Sequence, residues 1–385
     1  CSTASWAVRW LMAVCGICLV AARVSYPANL LSLTRLRFFA ALWVVFYHWR
    51  APWDFDVDAT TQLLAMGRFG VDLFFILSGF VLAHVYLRAR EEGRFNFARF
   101  LVARFARIWP LHIAVILFLL LVWFVAAALE VPFEADRFAV ADLPANILMI
   151  HAWGFAPDLS WNGPSWSISA EWFAYLTFPA YLMTALGLKH RPWLLLGIAA
   201  VLFFALDQLH LRLFSETLPM ATERFGVIRI IPEFLIGIGL YRLGQAYVLP
   251  RPVARYAFIG VLAVYLLAAH FAWDDRVIAL LGAPIIFLLA ELDRHKGETR
   301  TGAMSYLGDI SYSVYMIHVP FFMVGFNLLQ DVLGVVDQTV SWPVLLMMLV
   351  VMIGVSAGTY EWIERPARTR LRAWGEALIS RPRRP

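Results

Sequence analysis

The chain has 385 residues, of which 61% are hydrophobic, 15% aromatic and only 15% charged, and its mean hydropathy is +0.70. A soluble domain is about 45–50% apolar and about 25% charged, so this composition excludes an ordinary globular enzyme and a disordered chain and leaves the bilayer as the solvent. The net charge of +5, from 32 basic and 27 acidic residues, points to no nucleic-acid partner; the positions of those charges say more.

In chain order, the first feature is a 13-residue apolar run, Trp10 to Ala22, too short to cross a bilayer comfortably and more like a signal-peptide core or an interfacial piece. Residues 1–30 are therefore read as an N-terminal extension. All three cysteines, Cys1, Cys15 and Cys18, fall in it. Cys15 and Cys18 have CxxC spacing, but no second ligand pair exists, so neither a metal site nor a disulfide framework is expected.

Ten apolar runs follow between charged or Pro/Gly-bearing breaks. They are Phe38 to Trp49, Gly67 to Leu87, Ile108 to Leu129, Ser165 to Leu186, Trp193 to Phe214, Phe225 to Tyr241, Tyr256 to Phe271, Val277 to Leu292, Ser305 to Leu329 and Val340 to Tyr360. None alternates as a barrel strand would, so the expected fold is all-α and integral to the membrane, a polytopic bundle of about ten helices over residues 31–364. The longest external connection is Glu130 to Pro164, and residues 365–385 read as a basic tail suited to anionic lipid headgroups.

Placing the C-terminal tail in the cytoplasm puts the segment before Phe38 and every second connection on the same side. Of the 32 basic residues, 25 then lie on that side and seven on the other. A wrong number of spans would scramble this split, so the positive-inside rule supports both the count and cytoplasmic N- and C-termini.

An ionisable side chain in hydrocarbon costs several kcal/mol by most estimates, which makes each one inside a span a functional candidate. The main set is Arg37 at the inner entrance of the first run and His48 near its outer end, Asp72 early in the second, Glu171 in the fourth and His318 in the ninth, with Glu233 and His112. The topology puts His48, Asp72, Glu171 and His318 at similar depth in the outer half of the membrane. Histidine beside carboxylates, away from bulk water, suits general-base catalysis or proton relay; singly, each also suits an interhelical hydrogen bond. Arg37 and His48 stand about 16 Å apart in rise on one helix, a span of the order of a pantetheine arm. Arg104 and Arg107 share one face at the inner surface, where a guanidinium fork suits phosphate as well as topology alone. Ser78-Gly79 is a small pair that lets a helix or ligand approach closely. The stretch Trp161 to Trp172 places Asn162, Ser165, Trp166, Ser167, Ser169 and Glu171 together, as an interfacial belt or as a polar acceptor site with rings for a sugar face.

These segments resemble the acyltransferase type 3 family, integral-membrane enzymes that O-acetylate bacterial surface glycans. Leu33-Thr34-Arg35-Leu36-Arg37 through Tyr47-His48 resembles its Arg/Lys-x10-His block, and Phe69 to Phe80 the next. Arg104-Phe105-Ala106-Arg107 is similar to its RxxR segment and Trp166 to Trp172 to its WSLxxEW block. Ser311 to Pro320 and Glu364-Arg365-Pro366 resemble the closing blocks. The resemblance implies a ten-helix core in a bacterial cytoplasmic (inner) membrane, an essential His48 paired with Arg37, and functional arginines at Arg104 and Arg107.

On that resemblance His48 would deprotonate an acceptor hydroxyl, with Glu171 or Asp72 orienting the imidazole, while Arg37, Arg104 and Arg107 hold the phosphates of acetyl-CoA or another acyl-CoA, with no metal. Ser78, Trp166, Ser169, Ser313, Tyr315 and His318 are the candidates for substrate contact. The expected partners are membrane lipids and a carbohydrate acceptor, free or lipid-linked, with a homo-oligomer left open. An acyl-His48 relay and a proton-coupled transporter or flippase of a glycan precursor are the alternatives, the latter expecting inverted repeats and broken helix pairs that the sequence does not display.

Overall fold

The computed structural model describes residues 25–380 except 52, 54–55, 131–134, 157, 223, 297–301 and 333–338. The Cys15/Cys18 pair and the Trp10 to Ala22 run lie outside the described residues. Among the described residues there is no β-strand, only an isolated bridge between Trp53 and Val340. Besides a five-residue helix at Leu143–Ile147, the α-helices are α1 (Leu31–Trp49), α2 (Gly70–Glu91), α3 (Phe97–Ala128), α4 (Trp166–Leu176), α5 (Phe178–Gly187), α6 (Pro192–Phe214), α7 (Gly226–Ala246), α8 (Arg251–His270), α9 (Asp275–Lys296), α10 (Ala303–Asp309), α11 (Ser311–Asn327), α12 (Trp342–Thr359) and α13 (Arg365–Ile379).

Six of the described helices are long and apolar enough to cross a membrane: Ala65–Glu91, Phe97–Ala128, Pro192–Phe214, Arg251–His270, Ser311–Gln330 and Trp342–Ile379. The outward faces of these helices carry Leu121, Phe124, Val201, Ile259 and Val350, all exposed, as lipid-facing surface requires. The other four predicted runs are helical too, for distinct physical reasons less apolar or less continuous. α1 begins seven residues before Phe38 and so takes Arg35 and Arg37 into the helix. α7 and α9 carry buried charges, among them Arg229, Glu233, Glu291 and Arg294. The fourth run is broken at Thr177, where Pro179 begins a new helix and cannot donate the hydrogen bond that would continue the old one.

α7 is the centre of the bundle. It is buried along almost its whole length, and it packs against α2, α4 and α6. Two glycines explain its closeness to α2: a side chain at Gly79 would strike the Phe234 carbonyl, and one at Gly237 would strike the Ile76 carbonyl. Small residues at a crossing are how membrane helices gain packing when no hydrophobic force distinguishes protein from lipid.

The described parts of both ends pack on the bundle. The extension read as residues 1–30 is already in the core at Tyr26, whose hydroxyl donates to Glu291 at 2.7 Å and whose ring lies 3.9 Å from the Arg294 guanidinium. The tail from Arg365 is α13, a helix continuous with α12 that packs on α3 with Gly375 against Val102. Arg365–Glu361 and Arg368–Glu364, each one turn apart, support it.

Gly79→Val and Gly237→Val are each expected to cost about 1–3 kcal/mol by forcing α2 and α7 apart. Thermal unfolding in detergent and accumulation in the membrane measure this. Gly260→Val, at a position that meets nothing within 4 Å, is the control and leaves both unchanged.

Candidate active site

Most of the predicted site residues line two cavities, called outer and inner here after the sides that the sequence-predicted topology gives them, and Tyr315 lines both. The outer cavity, about 280 Å³, is lined by Val44, Tyr47, His48, Trp161, Trp166, Arg229 and Tyr315 among others. The inner one, about 450 Å³, is lined by Arg37, Arg104, Arg107, Ser78, Glu171, Tyr175 and Tyr315 among others.

His48 lies in the last turn of α1, exposed to the outer cavity. Its Nδ1 is 2.9 Å from the Val44 carbonyl oxygen and 3.1 Å from His318 Nε2. A carbonyl oxygen only accepts, so Nδ1 carries the proton and, in the neutral ring, Nε2 carries the lone pair. The same reasoning fixes His318 on α11. Its Nδ1 lies 2.6 Å from the Tyr315 carbonyl and is the donor, which leaves Nε2 to accept from His48. His318 is fully buried, and the two rings stand 4.8 Å apart. Trp49 anchors the end of α1 by donating to the His318 carbonyl at 3.1 Å.

The carboxylates expected to orient His48 are engaged elsewhere. Asp72, 1% exposed in the first turn of α2, accepts from Arg229 Nε at 3.1 Å and Nη2 at 2.5 Å. Glu233 stands one turn beyond Arg229 on α7, its carboxylate 3.8 Å from Nε. Two carboxylates thus share one guanidinium, which lies 5.3 Å from the Trp166 ring at the wall of the outer cavity. Glu171 accepts from Ser78 Oγ at 2.7 Å and from Tyr175 at 2.6 Å, on the inner side. The side chain within hydrogen-bond distance of the His48 ring is instead a second histidine, 270 positions away in the chain.

The inner arginines stand where the RxxR spacing put them, on one face of α3 near the start of that helix. Arg107 is ion-paired to Glu364 and lies 5.5 Å from the Tyr312 ring. Glu364 also accepts from Ser313 at 3.0 Å. Arg104 reaches Tyr86 at 3.5 Å, and its buried Nε has no hydrogen-bond partner among the described residues. Arg37, Arg104 and Arg107 share this cavity wall with Glu171 and Asp309, and Glu364 stands against Arg107, so the charges are close to balanced and the unpartnered Nε of Arg104 is the donor left open to an anion.

Of the remaining candidates, Ser78 and Tyr315 line the inner cavity and Trp166 and Tyr315 the outer. Ser169 lines neither: it accepts from the Ala152 amide at 3.1 Å, while its carbonyl accepts from Trp153, fastening the external segment to α4. Ser313 is taken up by Glu364. His112 bonds the Asn146 carbonyl at 2.8 Å and stacks 6.0 Å from His151, which is likewise a fastening of that segment. Sequence reasoning missed the roles of Arg229, Glu364 and Tyr175. The Arg229/Glu233 and Glu171/Tyr175 spacings, each four residues on one helix, were signals for Arg229 and Tyr175; Glu364 pairs with Arg107 across distant segments. No group of three or more His, Cys, Asp or Glu able to hold a metal forms among the described residues.

A family model described as an acyltransferase domain matches residues 30–361. The chain belongs to this acyltransferase family. It is 31% identical over 336 residues to the acyltransferase MdmB of Streptomyces mycarofaciens, covering 80% of this chain and 82% of that one. It is 24% identical to the putative peptidoglycan O-acetyltransferase YrhL of Bacillus subtilis over 88% of this chain but 55% of the relative's length. Similarity to the peptidoglycan O-acetyltransferase OatA of Listeria monocytogenes, 27% identical, covers 43% of this chain and 26% of that protein. The chain therefore spans about half or less of the two peptidoglycan O-acetyltransferases. No solved structure matches it.

The shared guanidinium gives an ordered stability prediction. Arg229→Met strands two buried carboxylates and is expected to cost about 3–5 kcal/mol. Asp72→Asn leaves Arg229 with Glu233 and costs less. Unfolding midpoints of the purified variants check the order; equal costs would remove Glu233 from the pairing.

Proposed function

We propose that the protein is a membrane O-acyltransferase that moves an acetyl or other short acyl group from cytoplasmic acyl-CoA to a hydroxyl of a cell-surface or lipid-linked carbohydrate. The observation that carries this reading is the placement of His48: its ring lines one cavity with Nδ1 held against the Val44 carbonyl, and three arginines line the next. Family membership supports the acyl transfer. The 25 to 7 distribution of basic residues supports ten membrane segments with both termini in the cytoplasm of a bacterial inner membrane, and so a donor entering among Arg37, Arg104 and Arg107.

In this reading the phosphates of acyl-CoA pair with the inner arginines, and the pantetheine arm runs along α1 toward His48, about 16 Å of helical rise from Arg37. The acceptor hydroxyl lies in the outer cavity against Trp161 and Trp166, whose rings suit the apolar face of a sugar. His48 Nε2 takes the hydroxyl proton as the oxygen attacks the thioester carbonyl. The new C–O bond forms, the C–S bond breaks, and the departing thiolate receives the proton from the imidazolium. His318 Nε2 accepts the Nδ1–H throughout, so the ring keeps its orientation in both charge states.

His48→Ala is expected to lower transfer by about 10²- to 10⁴-fold while the protein still accumulates in the membrane. Mass spectrometry of surface glycans from complemented deletion strains reads this out; undiminished O-acetylation removes His48 from the mechanism. Acetyl-CoA is expected to raise the unfolding temperature of the purified protein, and Arg104→Ala to abolish that rise. A rise that survives in Arg104→Ala would place the donor elsewhere.

A further inference from the structure

Tyr315 lines both cavities. Its side chain is 5% exposed, and it lies on α11 one turn before His318. The hydroxyl donates to the Pro164 carbonyl at 2.9 Å and meets Ser167 Oγ at 2.7 Å, while Ser167 Oγ is itself 3.1 Å from the same carbonyl. These three groups close a small hydrogen-bonded ring between α11 and the start of α4. Phe74 of α2 packs edge-on against the Tyr315 ring at 5.8 Å from the opposite side. The adjacent residues Trp166 and Ser167 divide in the same way, Trp166 facing outward and Ser167 inward.

We infer that the Tyr315 side chain is the removable partition between the inner and outer cavities, latched shut by Ser167 and Pro164 and swung aside when a reactant must pass from one to the other. A fixed wall at this point would keep anything held by the inner arginines from His48. An open passage would join the two aqueous faces and let water reach the donor ahead of the hydroxyl. A tyrosine held by two hydrogen bonds at its tip satisfies both needs, because rotating the side chain breaks only those bonds and the ring contacts with Phe74 and His318. The Tyr315 carbonyl beside His318 Nδ1 belongs to the helix backbone and stays in place. The hydrogen bonds of the histidine pair therefore survive opening, although the His318 ring loses the Tyr315 ring 5.7 Å away. This inference rests on the acyltransferase reading for its purpose but not for its geometry.

The test replaces Cys1, Cys15 and Cys18 with serine in the full chain and introduces Val319→Cys in the outer cavity or Val81→Cys in the inner one. Labelling by a membrane-impermeant maleimide is followed in right-side-out and inside-out vesicles, and the face from which Val81→Cys reacts defines the inner side. With Tyr315 present, Val319→Cys is expected to react from the opposite face only. Tyr315→Ala should make it react from both, and Tyr315→Phe, which keeps the ring but loses the latch, should raise inner-face labelling above that with Tyr315. Labelling from both faces with Tyr315 present overturns the partition. So does one-sided labelling in a Tyr315→Ala protein of unchanged unfolding temperature, or, where that variant does not fold, no rise in Tyr315→Phe. Thiol release from acetyl-CoA in the absence of acceptor should also rise in Tyr315→Phe. Labelling as expected with no thiol release in any variant would leave the partition standing and sink the acyl-CoA reading instead.

Discussion

A guanidinium inside a membrane protein needs a counter-charge in contact with it, and that constraint organises both cavities. The desolvation cost of each ion is several kcal/mol, and only a well-placed partner offsets it. On the outer side the pair is Arg229 with Asp72, joining α7 to α2; on the inner side it is Arg107 with Glu364, joining α3 to the turn between α12 and α13. The outer pair crosses the same two helices that Gly79 and Gly237 bring into backbone contact. The close approach and the ion pair therefore depend on each other. Without the glycines the carboxylate could not reach the arginine, and without the pair the arginine could not sit at the wall of a cavity walled by Trp166.

The same requirement separates charge by function. Where a guanidinium is balanced, as at Arg229, it has a structural task and its field is largely cancelled nearby. Arg104, whose buried Nε has no hydrogen-bond partner among the described residues, is not balanced in this way and keeps a donor open to the cavity. His48 stands apart from both, held by a carbonyl and a neutral ring instead of a carboxylate. Its Nδ1 lies beside the Val44 carbonyl and His318 Nε2, which leaves Nε2 on the cavity side.

Most of this was legible in the sequence as a set of residues, and little of it as a set of contacts. His48, Arg37, Arg104, Arg107, Glu171 and His318 stand out because each is ionisable within or beside an apolar run, and physics alone marks them. Their pairing is not local: Asp72 and Arg229 are 157 positions apart and His48 and His318 are 270 apart. Periodicity cannot choose between such partners, so Asp72 and Glu171 were plausible on His48 until each was found bonded to something else. The fold was legible to the same depth. Helical runs were found where the apolar stretches predicted them, but the break at Thr177 and the continuation of α12 into α13 depend on hydrogen bonds that a hydropathy reading does not weigh.

The placement of α11 carries the last step. Over one turn it presents Tyr315 to the division between the cavities and His318 to the base, and Asn162 pins that turn by donating to the Met316 carbonyl at 2.9 Å. The external segment that carries Asn162 and Pro164 therefore holds both the hydroxyl of Tyr315 and the backbone beside it. That segment is in turn fastened to α3 by His112 and to α4 by Ser169. A reactant bound against Trp161 or Trp166 touches this same segment. If Tyr315 is the partition, a reactant in that cavity would bear through Pro164 on its hydroxyl and through Asn162 on the backbone of the turn that carries His318, so both would respond to the same occupant.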